Sequence, residues 1–519
     1  MKKYLLFLGL LIGGGTLTGT LTSCEKFLDV NTDPNTPSEA TPNYLLPNII
    51  AQGFQTQMFT ALRVPYITQY VVSRTANSGG NDQFNFTNAQ STNTFNYTYF
   101  YSGSNINPMI RQAQEEGSPY YVGAGKIMMA LILSHATDML GDIPYSEAFK
   151  GAENYTPKYD SQEQIYATIF QLIDEGVVEM QKPASANLRP LYSAAPTPSG
   201  DILYRGDVQK WIRLAYALKA RQYNHLTKKA NYDPSVTLSH VDKAFTGTAD
   251  DAQLQYQVAV APLTGTTNIF GTTRANFGTA TFSANIVKYL NGTTYPGVID
   301  PRYVIMTSAA SSTGIDPGRG GGPATTLTGN VTDFYSSWYA RDLGYFEVIT
   351  YHELKFIEAE AAFKAGNKSR ALAAYREGIR AHMNKIGVGG SNASPAVTFP
   401  VITPVQIDQY LASSAVAQNE GELTERRIME QKYIAMFLNP ETWSDMRRYD
   451  FRSDIYVNLA YPFGTAVNQV LAGQTDAKLR WPRRLLPGAT EVQYNPVEIN
   501  KVGGNAPDYI IKPMWWDQP

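Results

Sequence analysis

The chain of 519 residues has one cysteine and five histidines, and only 17% of it is charged. A lone thiol at Cys24 cannot close an internal disulfide, and no cysteine-based metal centre can form. None of His135, His225, His240, His352 and His382 stands at zinc-ligand spacing such as HExxH, and His135, set in an apolar run, reads as a satisfied core residue. The formal net charge of −2 gives no electrostatic footprint for nucleic acid, so no such partner is expected. There is no GxSxG elbow, no P-loop and no dinucleotide fingerprint behind a strand. The GRGGGP stretch at 318–323 has neither a Lys-Ser/Thr ending nor a following helix and reads as a loop. Carboxylate pairs arise by chance among 45 acids; Asp138 and Asp142 stand four apart, but Gly141 and Pro144 break the helix that would align them. No catalytic residue, no metal and no cofactor is therefore expected. Beyond the first residues no apolar run approaches the ~20 residues that a membrane-spanning helix needs.

What the chain does have begins at its start. Lys2 and Lys3 precede an apolar run at 4–12, which decays into Gly and Thr and ends Leu21-Thr22-Ser23-Cys24. Residues 1–23 read as a secretory signal peptide. The small residues before Cys24 resemble a bacterial lipobox, which would make Cys24 the lipidated N-terminus and the protein membrane-anchored rather than spanning. Glu25 and Lys26 are compatible with the outer membrane. Loss of the signal leaves 41 basic against 45 acidic residues, still near neutral. Aromatics reach 12%, with 34 Tyr. Most serve the core, but such abundance also leaves polar-tipped rings for a surface that recognises sugar or peptide.

Residues 24–43 are rich in Pro, Asn, Thr and Asp and read as a tether; a single domain is expected over 44–519. Helices are expected at 44–70, 119–140, 161–180, 206–229 and 422–449. Asp160, with Glu163 three residues on, reads as the cap of the third. In TDMLGDIPYSEAF at 137–149, Gly141 and Pro144 turn the chain, Asp142 can bond local backbone N–H groups and Tyr145 can pack back. Residues 349–387 form two helices about a Gly366-Asn367 turn. Ala359, Gly366, Ala371, Tyr375 and Gly378 match a tetratricopeptide-type hairpin, although Ala362 stands where an aromatic is usual. Two long polar stretches carry interleaved aromatics, at 72–108 and 243–345. The whole reads as mainly α, helix pairs with large irregular insertions.

Taken in order, CEKFLDVNTDPN, TDMLGDIPYSEAFKG, PKYDSQEQIY, GDVQKWIRLAYALKARQ, DPRY at 300–303, RRIMEQKYIAMFLNPETWSDMRRYDF and WPRRLLPGATEVQYN resemble the SusD/RagB family, in its SusD-like, starch-binding-associated branch. The resemblance covers nearly the whole mature chain. It implies an outer-membrane surface lipoprotein with four tetratricopeptide-like helix pairs. It also implies a role as lid on a SusC-type TonB-dependent transporter, capturing a nutrient without catalysis or cofactor. Family ligand sites involve the loop before the GDIPY element and the loop before the tetratricopeptide-like hairpin. The corresponding candidates here are Asn81, Asp82, Phe84, Phe86, Tyr97, Trp338, Tyr339 and Arg341, rings for stacking on a pyranose and polar groups for its hydroxyls.

An oligosaccharide is the first ligand expected. A peptide or another nutrient, a surface hydrolase, and a lid whose partner supplies the whole site are the alternatives. Cys24→Ser is expected to release the protein from membranes. Retention in the membrane fraction at high salt would refute the lipid anchor.

Overall fold

The computed structural model describes residues 40–519 except 75–80, 261–264, 308, 310, 319–332 and 463–466. The signal segment, Cys24, most of the tether and most of GRGGGP lie outside the described residues. Helix α1 spans Pro42–Thr60, two residues earlier than the expected domain start, because Pro42 has the fixed φ that suits a first helical turn. Pro42–Pro519 forms one compact unit. Strand is confined, among the described residues, to two-stranded antiparallel pairs: 71–73 with 280–282, 192–193 with 199–200, 252–255 with 345–349, and 388–393 with 396–401.

The stretch expected as a polar loop at 72–108 is largely helical. Helix α2 (Ala89–Asn96), a π-helical segment (Tyr97–Gly103) and α3 (Ser104–Glu116) run on continuously. Local and tertiary bonds override the weak helix propensity of Thr, Ser and Asn. Thr98 Oγ1 donates to the Thr94 carbonyl at 2.8 Å, the Thr94 and Thr60 hydroxyls meet at 2.8 Å, and Ser102 Oγ donates to the Ile49 carbonyl of α1 at 3.0 Å.

Helices α4 (Pro119–Leu140) and α5 (Gln162–Met180) fall where the apolar spacing put them. They touch through glycine: a Cβ on Gly123 would lie 2.9 Å from the Gly176 carbonyl oxygen, so only a missing side chain lets the backbones approach this closely. The cap of α5 is Ser161, in a reciprocal capping box with Gln164, and not Asp160. Asp160 accepts instead from the N–H groups of Tyr145 (2.9 Å) and Ser146 (2.7 Å). Asp142 accepts from the Gln162 N–H at 2.8 Å, and Ile143 pairs with Asp160 across an isolated bridge. The 137–149 motif is thus the joint that sets α4 against α5. Gly141 takes the positive φ (+91°) that the turn needs.

Helix α6 (Val208–His225) is capped by Asp207 and turns Arg221, Gln222 and His225 inward. Helices α7 (Tyr351–Lys364) and α8 (Lys368–Ile386) form the expected hairpin, with Tyr375 fully buried and Gly378 beneath the Phe356 ring. The expected single helix at 422–449 is two: α9 (Glu425–Ala435) and α10 (Glu441–Arg448). Leu438, at φ +66°, and the following Asn439-Pro440 break it. The bend brings Lys432 within 2.8 Å of Asp445. Helix α6 packs on α5 and α7, and α9 packs on α7 and α8.

His135 behaves as a core residue: its Nε2 meets Thr60 Oγ1 at 2.9 Å, and burial pushes its pKa down to about 4. His225 goes the other way. Burial opposes its charge, but Glu441, in short contact with Nε2, and Asp138, at 3.3 Å, outweigh burial and raise it to about 9. A histidine raised above its ordinary value stabilises the fold fully below pH ~6.5, and that contribution is lost as pH rises through about 9. Melting temperatures measured from pH 6 to 10 are expected to fall across this window, and His225→Gln is expected to flatten the fall. Equal slopes in both proteins would refute the assignment.

Candidate functional site

The sequence candidates fall into separate groups, and most of the first group is consumed by the fold. Asp82 is buried, and its Oδ2 accepts from the backbone N–H groups of Ser73 (3.2 Å) and Gly318 (3.0 Å). It pins the end of a strand to a loop far along the chain. Phe84 is fully buried at φ +62°, its ring 5.6 Å from Trp481 and 6.3 Å from Tyr461. Asn81 and Phe86 are buried as well. These four residues present no face to a ligand, and the expectation that they stack on or bond a sugar is corrected. Asp82 and Phe84 serve to hold a long connection in place. Tyr97 is half-buried, stacked on Phe59 of α1 (4.9 Å between ring centres) and leaning on Tyr101 (4.7 Å).

The second group borders an open cleft. Residues 338–343 lead into α7 through the strand 345–349, while the hairpin 388–401 follows α8 directly. Between them lies a cleft of about 340 Å³, lined by Val258, Trp338, Arg341, Asp342, Leu343, the 389–393 strand and Phe399. That volume is within the roughly 300–1,000 Å³ of small-molecule sites. Its walls are tied together: Asn268 Nδ2 donates to the carbonyls of Tyr339 (2.9 Å) and Arg341 (2.7 Å), and the Asp342 N–H donates to Asn392 Oδ1 at 2.8 Å. Trp338 is only 7% exposed. Phe399 meets it edge-on at 5.4 Å, and the Arg341 guanidinium lies 3.3 Å from its ring centre. Tyr339 turns the other way, its ring against Phe437 and its hydroxyl 3.2 Å from His382 Nε2. Among the described residues no hydrogen bond or ring contact joins this group to residues 81–86 or to Tyr97.

A family model described as SusD-like, starch-binding associating with outer membrane, matches residues 34–458. The chain belongs to the SusD-like family. Solved structures agree in fold. A SusD/RagB family protein from Bacteroides thetaiotaomicron is similar at TM-score 0.72 and 21% identity, over 92% of this chain and 99% of that one. A SusD homolog from Bacteroides fragilis is similar at TM-score 0.65 and 21% identity, over 92% and 100%. A chitin-binding SusD homolog from Flavobacterium johnsoniae is similar at TM-score 0.68 and 20% identity, over 90% and 97%. No curated protein matches the sequence significantly.

For a SusD-like protein the hairpin 388–401 is the part of the cleft that sequence reasoning missed. Its signal was there: Gly389 (φ +72°) and Gly390 (φ +120°) directly after a predicted helix, then Asn-Ala-Ser-Pro before a β-branched run. Among the described residues no group of His, Cys, Asp or Glu could hold a metal ion, and no helix is long and apolar enough to cross a membrane. Phe84→Ala is expected to cost about 3–5 kcal/mol of stability, as for other buried phenylalanines, read as a lowered denaturation midpoint. An unchanged midpoint would show that the ring is not part of the core.

Proposed function

We propose that this SusD-like protein is an outer-membrane surface lipoprotein, anchored through Cys24, that captures an oligosaccharide in the cleft between residues 338–343 and the 388–401 hairpin. It passes the ligand to a SusC-type TonB-dependent transporter and does no chemistry on it. The observation that carries this reading is the cleft itself, an open recess whose two walls are the segments entering and leaving a rigid helix hairpin. Its lining suits a pyranose. Val258 and Leu343 supply exposed apolar surface, while Ser391, Asn392, Asp342 and Arg341 supply donors and acceptors for hydroxyls. The family's starch-binding description and the chitin-binding relative from F. johnsoniae support a glycan over other nutrients. Of the sequence candidates, Trp338 and Arg341 stay in the proposal, the first as the floor on which the second lies; Tyr339 faces away from the cleft and is left out of it. Tyr97 is left as a separate surface ring.

Ser391 is exposed on the cleft wall, so a larger side chain there fills the cleft without disturbing the core. Calorimetry of the mature protein against maltooligosaccharides, chitooligosaccharides and other glycans is expected to find a bound sugar that stays uncleaved. Ser391→Trp is expected to weaken it at least tenfold. Undiminished binding by that variant would move the site elsewhere, and accumulating cleavage products would refute the capture role.

A further inference from the structure

Building on the capture reading, we propose that the cleft selects an acidic oligosaccharide, with the carboxylate of a uronic acid held by Arg341. The usual aromatic platform for a neutral sugar is closed here. The Trp338 face is covered by the guanidinium, its edge is held by Phe399, and little of the indole reaches solvent. What the wall offers to a ligand is the guanidinium plane and its free edge.

That edge is unspent. Arg341 Nη1 donates to the Trp338 carbonyl at 2.6 Å, which fixes the fork, while Nε and Nη2 have no hydrogen-bond partner among the described residues. Nε and Nη2 together form the side-on edge that grips a carboxylate through two parallel bonds. The charge is also uncompensated: Arg341 makes no ion pair among the described residues. Glu347, the carboxylate that acts on it most, is already paired with Lys385 at 3.0 Å. Burial pulls Arg341 down to about 10, so it remains charged at neutral pH. A half-buried cation without a counter-ion has lost part of its hydration, and a carboxylate replaces it with charge-assisted bonds stronger than those to a neutral acceptor. Asp342 is the acidic residue on the same lining. Its carboxylate suits a sugar hydroxyl and disfavours a second negative charge beside it. The remaining lining is neutral, so the preference is for one carboxylate per bound segment and not for a polyanion with charge at every contact.

The test uses the mature protein and oligosaccharides of galacturonate, glucuronate and mannuronate, each beside its carboxyl-reduced counterpart. At least one uronate series is expected to bind ten times tighter or more than its reduced form, with the advantage shrinking as salt rises. Arg341→Gln is expected to bring that ratio close to one. The ligand-side comparison stands even if that variant folds poorly. Arg341→Lys, which keeps the charge but not the fork, is expected to retain only part of the ratio. Reduced or neutral glycans binding as tightly as uronates would overturn the acidic preference. So would a ratio that survives Arg341→Gln, or free-acid peptides binding tighter than any uronate. The capture reading would survive the neutral-glycan result if Ser391→Trp still abolished binding. Failure of every glycan, acidic and neutral, would overturn both.

Discussion

Between the helix pairs, five carboxylates and five cations share one buried interior. Asp138, Glu353, Glu360, Glu441 and Asp445 face Arg221, His225, Lys432, Arg447 and Arg448, and all ten are buried. The pairs are hydrogen-bonded with good geometry. Arg221 grips Glu353 through two bonds of 2.6 Å, and Arg448 grips Glu360 at 2.6 and 2.8 Å while also touching Asp445. Tyr166, Asn224 and Tyr449 occupy further carboxylate oxygens. Arg447 is the exception. Its guanidinium lies between the Trp443 and Trp516 rings and donates to the carbonyls of Asp138 (2.7 Å) and Arg483 (3.0 Å), and burial lowers it to about 10. Removing one member of such a set leaves a buried charge unpaired, at a cost of about 3–5 kcal/mol. The members come from α4, α6, α7, α9 and α10, so the network fixes how five helices sit and not merely how stable they are. His225 joins the cations because the two carboxylates beside it, Glu441 and Asp138, hold its proton against the cost of burial.

This network explains which parts of the sequence were legible. Three of the segments that carried the family resemblance supply seven of its ten members: TDMLGDIPY gives Asp138, GDVQKWIRLAYALKARQ gives Arg221, and RRIMEQKYIAMFLNPETWSDMRRYDF gives Lys432, Glu441, Asp445, Arg447 and Arg448; His225, Glu353 and Glu360 lie outside them. DPRY and WPRRLLPG act alike at the edges. Arg302 clamps Asp300 through two bonds (2.9 and 2.7 Å), and Arg483 joins Asp450 and Asp517. An apolar position accepts several residues of similar volume, whereas one member of a buried ion pair cannot change alone without leaving its partner's charge unpaired. Such positions therefore spell recognisable words, and helices read by period alone, as at 119–140 and 161–180, needed only their apolar spacing.

The misreadings have the same physical root. The break at 436–440 was hidden inside a helical pattern, although it is what lets Lys432 face Asp445. At 89–116, threonines and serines that favour turns in isolation became helix because their hydroxyls found carbonyls and one another within the core. The aromatics at 84 and 86 looked exposed because polar residues surround them in sequence. In space both are buried, and Phe84 is roofed by residues some 400 positions away, Tyr461 and Trp481. Long-range packing of that kind leaves no periodic trace.

The cleft follows a different rule from the network. The hairpin α7–α8 is held by Gly378 under Phe356, by Tyr375 and by the ion pairs of Glu353 and Glu360, so its two ends are fixed in space. The chain entering at 338–343 and leaving at 388–401 can then vary in length and side chain while the distance between the two walls stays set. Some side chains there answer mainly to one another, as when Arg341 covers Trp338 or Asn392 receives the Asp342 N–H, while Asn268 and Phe437 hold the segment beneath them. A loop pair of this kind can exchange an indole platform for a guanidinium edge without touching the interior. The scaffold therefore identifies the family, while the ligand chemistry proposed for the cleft rests on a few side chains of its two flanking segments.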